Sequence, residues 1–286
     1  MNSVIPLTIL ILSAIACLAA VILWFIAQKF KVFEDPRIDE VQEILPAANC
    51  GGCGFAGCRN FAEALVKADT FDGLVCPVGG ASVMEDAARI LGKEAPEIEP
   101  LVAVLLCNGT PEYCPQTSVY GGVANCRIAH NLYAGVTDCS YGCLGYGDCV
   151  TECKFDAMYM DPATGLPVIS DEKCVACGAC VKACPRNIIE LRKKAKKDRK
   201  IYVACSNCDK GGPARRACKV ACIGCGKCVK VCQFDAITLE NNLAYIDAAK
   251  CTFCRKCPIE CPTNCILEIN FPPRKQKIEA EAALNP

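Results

Sequence analysis

Cysteine sets the chemistry of this chain. Of its 286 residues, 28 are cysteine and only one, His130, is histidine. The spacing is regular. Cys174, Cys177, Cys180 and Cys184 stand at i, i+3, i+6 and i+10, and Pro185 follows. Three thiolates on one short loop can wrap three corners of an iron–sulfide cubane. The fourth, beyond a turn, reaches the other cubane of a pair. Cys222, Cys225, Cys228 and Cys232 repeat the pattern, as do Cys251, Cys254, Cys257 and Cys261 with Pro262 behind them. Cys139, Cys143, Cys149 and Cys153 read as a loosened first copy.

Crossing the fourth ligands predicts four [4Fe–4S] sites. Cys139, Cys143, Cys149 and Cys184 make the first; Cys153, Cys174, Cys177 and Cys180 the second. Cys222, Cys225, Cys228 and Cys261 make the third; Cys232, Cys251, Cys254 and Cys257 the fourth. Cys50, Cys53, Cys58 and Cys76 form a separate set threaded by Gly51, Gly52, Gly54 and Gly57, which let backbone N–H groups approach cluster sulfur. That gives five expected clusters. Structural zinc can also take four thiolates, but zinc sites usually pair two separated Cys-x₂-Cys knuckles. One histidine leaves a Rieske centre or a Cys₂His₂ finger a ligand short. His130 itself reads as a surface or packing residue.

Seven cysteines of the soluble part remain: Cys107, Cys114, Cys126, Cys205, Cys208, Cys218 and Cys265. Cys107, Cys126, Cys205 and Cys218 could close a sixth cluster by drawing the repeated units together. The alternative is buried free thiols. A decoy hides at Gly52 to Gly57, which matches G-x-G-x-x-G. It lacks the preceding apolar strand that a dinucleotide site requires.

Elements must hold these loops. Val4 to Ala27 carries no charged residue, and 24 residues of helix span about 36 Å, enough for a bilayer core. Lys29 and Lys31 follow, which places the cysteine-rich remainder on the cytoplasmic side and the N-terminus outside. That compartment keeps thiols reduced, against a disulfide framework. A cleaved signal peptide is disfavoured by the missing N-terminal charge and the length of the run. The alternative of lipoprotein cleavage at Cys17 is weakened by ten further apolar residues. Short helices are expected over 39–45, 59–69 and 82–93, the last with Ser82 facing Glu85 as a capping box. Leu101 to Leu106 reads as a buried strand.

Four segments align: CVTECKFDAMYM (149–160), CVKACPRNIIEL (180–191), CVKVCQFDAITL (228–239) and CPIECPTNCILEI (257–269). Two pairs mean two duplicated units. The expected organisation is an anchor at 1–31, a 4Fe–4S domain at 32–95 and a linker and strand region at 96–138. Ferredoxin units follow at 139–191 and 218–270, separated by a basic connector at 192–217, with a tail at 271–286. The fold class is α+β: one transmembrane helix, a small helical cluster domain and two tandem two-cluster units. With 31 basic and 31 acidic residues, bulk charge points to no nucleic-acid partner. Lys193, Lys194, Lys196 and Lys197 form a local basic run, either a solvated loop or a docking patch for an acidic electron-transfer partner.

LPAANCGGCGFAGCRNFAEAL (45–65), LVCPVGG (74–80) and CSYGCLGYGDCVTECKFDAM (139–158) together resemble the B subunit of the Rnf complex. The likeness runs over nearly the whole chain, in a long form with two ferredoxin units. It implies an electron relay from reduced ferredoxin towards NAD⁺, coupled to sodium or proton export, with flavin-carrying, nicotinamide-binding and ion-moving subunits as partners. It also implies that Cys107, Cys126, Cys205 and Cys218 are places where relatives carry cysteine. Lys154 and Gln233 depart from the proline expected after a fourth ligand, and Cys114, Cys208 and Cys265 are extra. A polyferredoxin adapter for a hydrogenase or formate enzyme is the competing reading. A zinc scaffold is the non-redox one.

Overall fold

The computed structural model describes residues 4–29, 35–132 and 135–274. Phe30, Lys31 and tail residues 275–286 lie outside these. The first element is a single 26-residue helix, α1 (Val4–Lys29), exposed where its side chains are described, with a span at Thr8–Ile26 long and apolar enough to cross a membrane.

Three helices follow: α2 (Arg37–Ile44), α3 (Cys58–Lys67) and α4 (Gly80–Leu91). Each presents an apolar stripe at helical spacing. Ile38 and Val41 meet Phe61, Leu65, Met84, Ala88 and Leu91 in one buried core. Gly92 ends α4 at φ +64, and Lys93 then turns its ammonium onto the free carbonyls of Leu65 and Val66 at the end of α3, 2.7 and 3.3 Å away. The capping box does not form. The helix starts two residues earlier, at Gly80, and the Ser82 hydroxyl donates to the Gly79 carbonyl instead.

The rest is built twice. Strand β1 (Leu101–Leu105) precedes α5 (Cys126–Leu132), α6 (Asp148–Thr151), β2 (Met158–Met160), β3 (Pro167–Ile169), α7 (Ala179–Ala183) and β4 (Ile189–Lys193). After one 3₁₀ turn at Lys196–Asp198 come β5 (Lys200–Val203), α8 (Gly211–Ala217), α9 (Lys227–Val231), β6 (Ile237–Glu240), β7 (Leu243–Ile246), α10 (Lys256–Glu260) and β8 (Ile266–Ile269). In each half the first strand pairs antiparallel with the last, and the middle strands make a hairpin. Leu101–Leu105 runs against Lys193–Ile189, and Lys200–Val203 against Ile269–Ile266. The pairings β2–β3 and β6–β7 complete the two halves. Each half thus begins at a strand upstream of its first cysteine loop, inside the stretches read from sequence as linker and connector. Four strands of no more than five residues bury too little alone, so the loops between them need another source of order.

The halves face each other. Val104 packs with Tyr202 and Ala204 against Leu106, Leu267 and Ile269. Arg192 is buried there, ion-paired with Glu190, its guanidinium 5.7 Å from the Tyr202 ring and 5.1 Å from the Tyr245 ring. Lys200, buried, pairs with the half-buried Asp171 across the halves.

Candidate metal centres

All 28 cysteines are free thiols. Four cavities of similar size, with empty volumes of about 390, 330, 350 and 340 Å³, are each walled by at least four of them. One holds Cys153, Cys174, Cys177 and Cys180. A second holds Cys232, Cys251, Cys254 and Cys257. A third holds Cys222, Cys225, Cys228 and Cys261, with Cys265 beside them. Each of these three sets lines a single cavity.

The fourth cavity departs from expectation. Its thiols are Cys126, Cys143, Cys149 and Cys184, and Cys139 is absent from its wall. The reason lies in register. CLGYGDC (143–149) and CIGCGKC (222–228) match without a gap, so Cys143 corresponds to Cys222 and Tyr146 stands where the second unit has Cys225. In this register the first motif lacks a cysteine at its second position. Cys126, at the first position of α5, lines the cavity with the other three. Asn125 caps that helix through the Ile128 N–H, at 2.9 Å. The Asp148 carboxylate accepts from the Cys126 and Arg127 amides at 3.0 and 3.2 Å, tying α5 to the residue before Cys149.

Backbone geometry repeats across all four loops. The residues two and four places after the first cysteine have positive φ: Gly145 and Gly147, Ala176 and Gly178, Gly224 and Gly226, Phe253 and Arg255. Alternation of this kind turns successive N–H groups into one concavity suited to an anion such as a cluster. Ala176, Phe253 and Arg255 adopt it against the steric cost to a Cβ. Three residues after each fourth cysteine a further left-handed residue follows, Asp156, Asn187, Asp235 or Asn264. Asn and Asp tolerate that conformation best.

Cys50, Cys53 and Cys76 lie within charge range of one another, and Cys58 opens α3 on the same core. Gly52 and Gly79 amides reach the Cys50 and Cys76 sulfurs at 3.5 and 3.3 Å. No strand precedes Gly52 among the described residues, so the dinucleotide pattern has no strand–turn–helix context here. A Cβ on Gly52 would sit 2.8 Å from the Cys177 carbonyl, so this loop rests directly on the 174–180 loop.

Burial pushes the Cys180 and Cys228 thiols up to about 11 and those of Cys149 and Cys257 to about 12. Each must lose a proton to bind metal, so ligation releases protons. Among the described residues no three donors converge on a point that one metal ion could occupy. Sulfurs around zinc at about 2.3 Å would lie within about 4 Å of each other. The thiols instead ring a larger volume, and the donor set is thiolate with inward-pointing amides. Both fit a four-iron cluster.

Comparison with known proteins agrees. Residues 45–70 match a family described as a putative Fe–S cluster, 167–190 a 4Fe–4S binding domain, and 221–265 a 4Fe–4S dicluster domain. The chain is 48% identical to the B subunit of the Na(+)-translocating ferredoxin:NAD(+) oxidoreductase complex of Acetobacterium woodii, covering 84% of this chain and 71% of that protein. It is 40% identical to the B subunit of the proton-translocating ferredoxin:NAD(+) oxidoreductase complex of Clostridium ljungdahlii over the full length of both. The same identity, over 93% of this chain and 99% of the relative, holds for the B subunit of the ion-translocating oxidoreductase complex of Methanosarcina acetivorans. The chain belongs to the family of Rnf B subunits. It carries several [4Fe–4S] clusters in ferredoxin-type domains behind one apolar N-terminal helix.

Of the four thiols expected to share a sixth site, Cys107, Cys205 and Cys218 stay near one another and Cys126 does not. Cys126 completes the first unit's cavity. Cys205 packs against the core that holds Cys265 and accepts the Cys222 amide at 3.3 Å. Cys107 and Cys218 do stay together, each within 4 Å of one point beside Gly109. Of the basic run, Lys193 pairs with Glu99, and Lys194 with Asp198 and the Asp171 carbonyl. Lys196 and Lys197 lie at the 3₁₀ turn that joins the halves. His130 is exposed on α5.

Proposed function

We propose that this chain is the electron-relay subunit of a membrane-bound ferredoxin:NAD⁺ oxidoreductase coupled to ion export. Thiol sets neighbour one another within the first part of the chain and within the second half, and this carries the reading. Cys50 lies beside Cys177, Cys180 beside Cys149, and Cys228 beside Cys257. When bound, [4Fe–4S] clusters supply one-electron redox chemistry at each set. The residues do the rest. Five quartets would hold them: Cys50, Cys53, Cys58 and Cys76; Cys153, Cys174, Cys177 and Cys180; Cys126, Cys143, Cys149 and Cys184; Cys222, Cys225, Cys228 and Cys261; and Cys232, Cys251, Cys254 and Cys257. Residues 101–193 and 200–269 act as tandem two-cluster units.

The helix α1 carries no ionisable residue other than Cys17 between Val4 and Ala27, so it offers no charged ion path of its own. Relatives of similar identity are named for sodium and for protons, and the coupling ion is set on partner subunits. Lys29 and Lys31 favour a cytoplasmic cysteine domain, with α1 held in lipid and the N-terminus outside. Cys225 and Cys254 are the exposed ligands. They make the second unit the natural entry for a soluble donor such as reduced ferredoxin, with Lys196 and Lys197 helping to steer it. Anaerobic metal analysis with redox titration by electron paramagnetic resonance tests the reading. At least about 20 irons per chain and several reducible signals are expected. Zinc with little iron would overturn it.

A further inference from the structure

We propose that Gly52 is a positioning residue for electron passage between the set at Cys50, Cys53, Cys58 and Cys76 and the set at Cys153, Cys174, Cys177 and Cys180; the proposal rests on the electron-relay reading above. A side chain at position 52 would hold the two ligand loops apart. Its Cβ would lie 2.8 Å from the Cys177 carbonyl oxygen, 3.1 Å from the Cys177 Cα and 2.9 Å from Cγ of Pro77. Non-bonded carbons settle at about 3.5–4.0 Å. A carbonyl fixed in a ligand loop cannot swing aside as the end of a long side chain does.

The glycines of this loop serve different ends. Gly51 and Gly54 hold φ at +70 and +89, a region in which glycine is at ease. A Cβ on either would meet no atom closer than 3.7 Å. Gly52 is not among the residues of positive φ, so its torsion does not call for glycine. Gly51 and Gly54 make the turn, and Gly52 makes the close approach.

Both loops carry ligands at the contact. The Gly52 amide donates to the Cys50 sulfur at 3.5 Å, and Cys50 lies within charge range of Cys177. One residue thus touches a ligand of each set: its N–H meets Cys50, and its Cα faces the Cys177 carbonyl. An electron tunnels between redox centres at a rate that falls exponentially with the gap. The fall is gentler through bonds and hydrogen bonds than through space. From the Cys50 sulfur through Gly52 to the Cys177 backbone, such a path has a single van der Waals step. One electron leaves one set as the other gains it, and no bond is made or broken. Shared packing does not set this gap. The core under α2, α3 and α4 takes no residue from beyond Ile98, and residues 93–100, which lead to β1, hold no helix or strand.

The test uses the full-length chain, purified without oxygen and fully reduced. Cys53→Ser, which removes one ligand of the first set, identifies the share of the spin–spin splitting that belongs to this pair. Gly52→Ala should keep the wild-type iron content, weaken that share, and slow electron passage between the two sets several-fold in freeze-quench spectra. Adding Pro77→Ala removes one obstacle and leaves the Cys177 carbonyl, so the splitting should stay weak. Four results would each overturn the positioning role and leave the relay standing: no splitting lost in Cys53→Ser, splitting unchanged in Gly52→Ala, its return in the double variant, or loss of about four irons from Gly52→Ala. Wild type with little iron would instead sink the relay reading itself.

Discussion

The two halves, 101–193 and 200–269, share strand pairing, loop dihedrals and the crossing of fourth cysteines, yet they assemble their thiol sets differently. The second takes three thiols from one contiguous loop. The first has Tyr146 in place of one of them, and its cavity is lined instead by Cys126, twenty residues upstream at the start of α5. A cluster needs four sulfurs at four corners and is indifferent to which stretch of chain delivers them. The segment between β1 and α6 that holds Cys126 also holds Cys114 and Cys139, and neither of these lines the first cavity. The irregular half has thiols to spare where it meets its twin.

Removing iron is the largest perturbation available. With strands this short, folding of both halves should depend on ligation. A chelator under reducing conditions should abolish most strand signal in circular dichroism, while α2 to α4, with their own apolar core, retain part of their helicity. Full retention of the strand signal would contradict the dependence.

The comparison of the halves is tested most sharply by rescue. Cys126→Ser should cost about four irons and one resonance signal. Adding Tyr146→Cys to that variant should restore both, because it recreates the loop of the second half. Failure of the double variant, with Cys139→Ser giving the loss attributed here to Cys126, would refute the register.

A smaller effect is expected at Arg186. Its guanidinium donates to the Cys139 and Gly142 carbonyls at 3.2 and 2.6 Å, where the second half has Thr263. A cation there favours reduction of nearby sets by roughly 1–3 kcal/mol at an effective dielectric near 20. Arg186→Thr should lower the midpoint of one or two signals and leave the second half's signals alone, as titration would show. Smaller still, Lys196→Gln with Lys197→Gln should slow reduction by ferredoxin a few-fold at low salt and not at high salt. Stopped-flow rates at two ionic strengths would check it.

The repeat, the iron–sulfur chemistry and the apolar helix were legible in the sequence, because ferredoxin loops are local: three ligands within seven residues leave the spacing visible. The helices over 37–91 were legible for the same reason, through apolar spacing, although hydrogen bonding moved the start of α4. The pairing of β1 with β4 and β5 with β8 joins residues nearly ninety and seventy apart, and nothing local announces it. One signal was present and easily missed: aligning 143–149 with 222–228 exposes Tyr146 as the substituted ligand, though it does not say which cysteine replaces it. That choice was made in three dimensions. Asp148 draws the start of α5 to the cavity. Ligand type is written residue by residue, whereas ligand partnership is a matter of distance, which only the folded chain possesses.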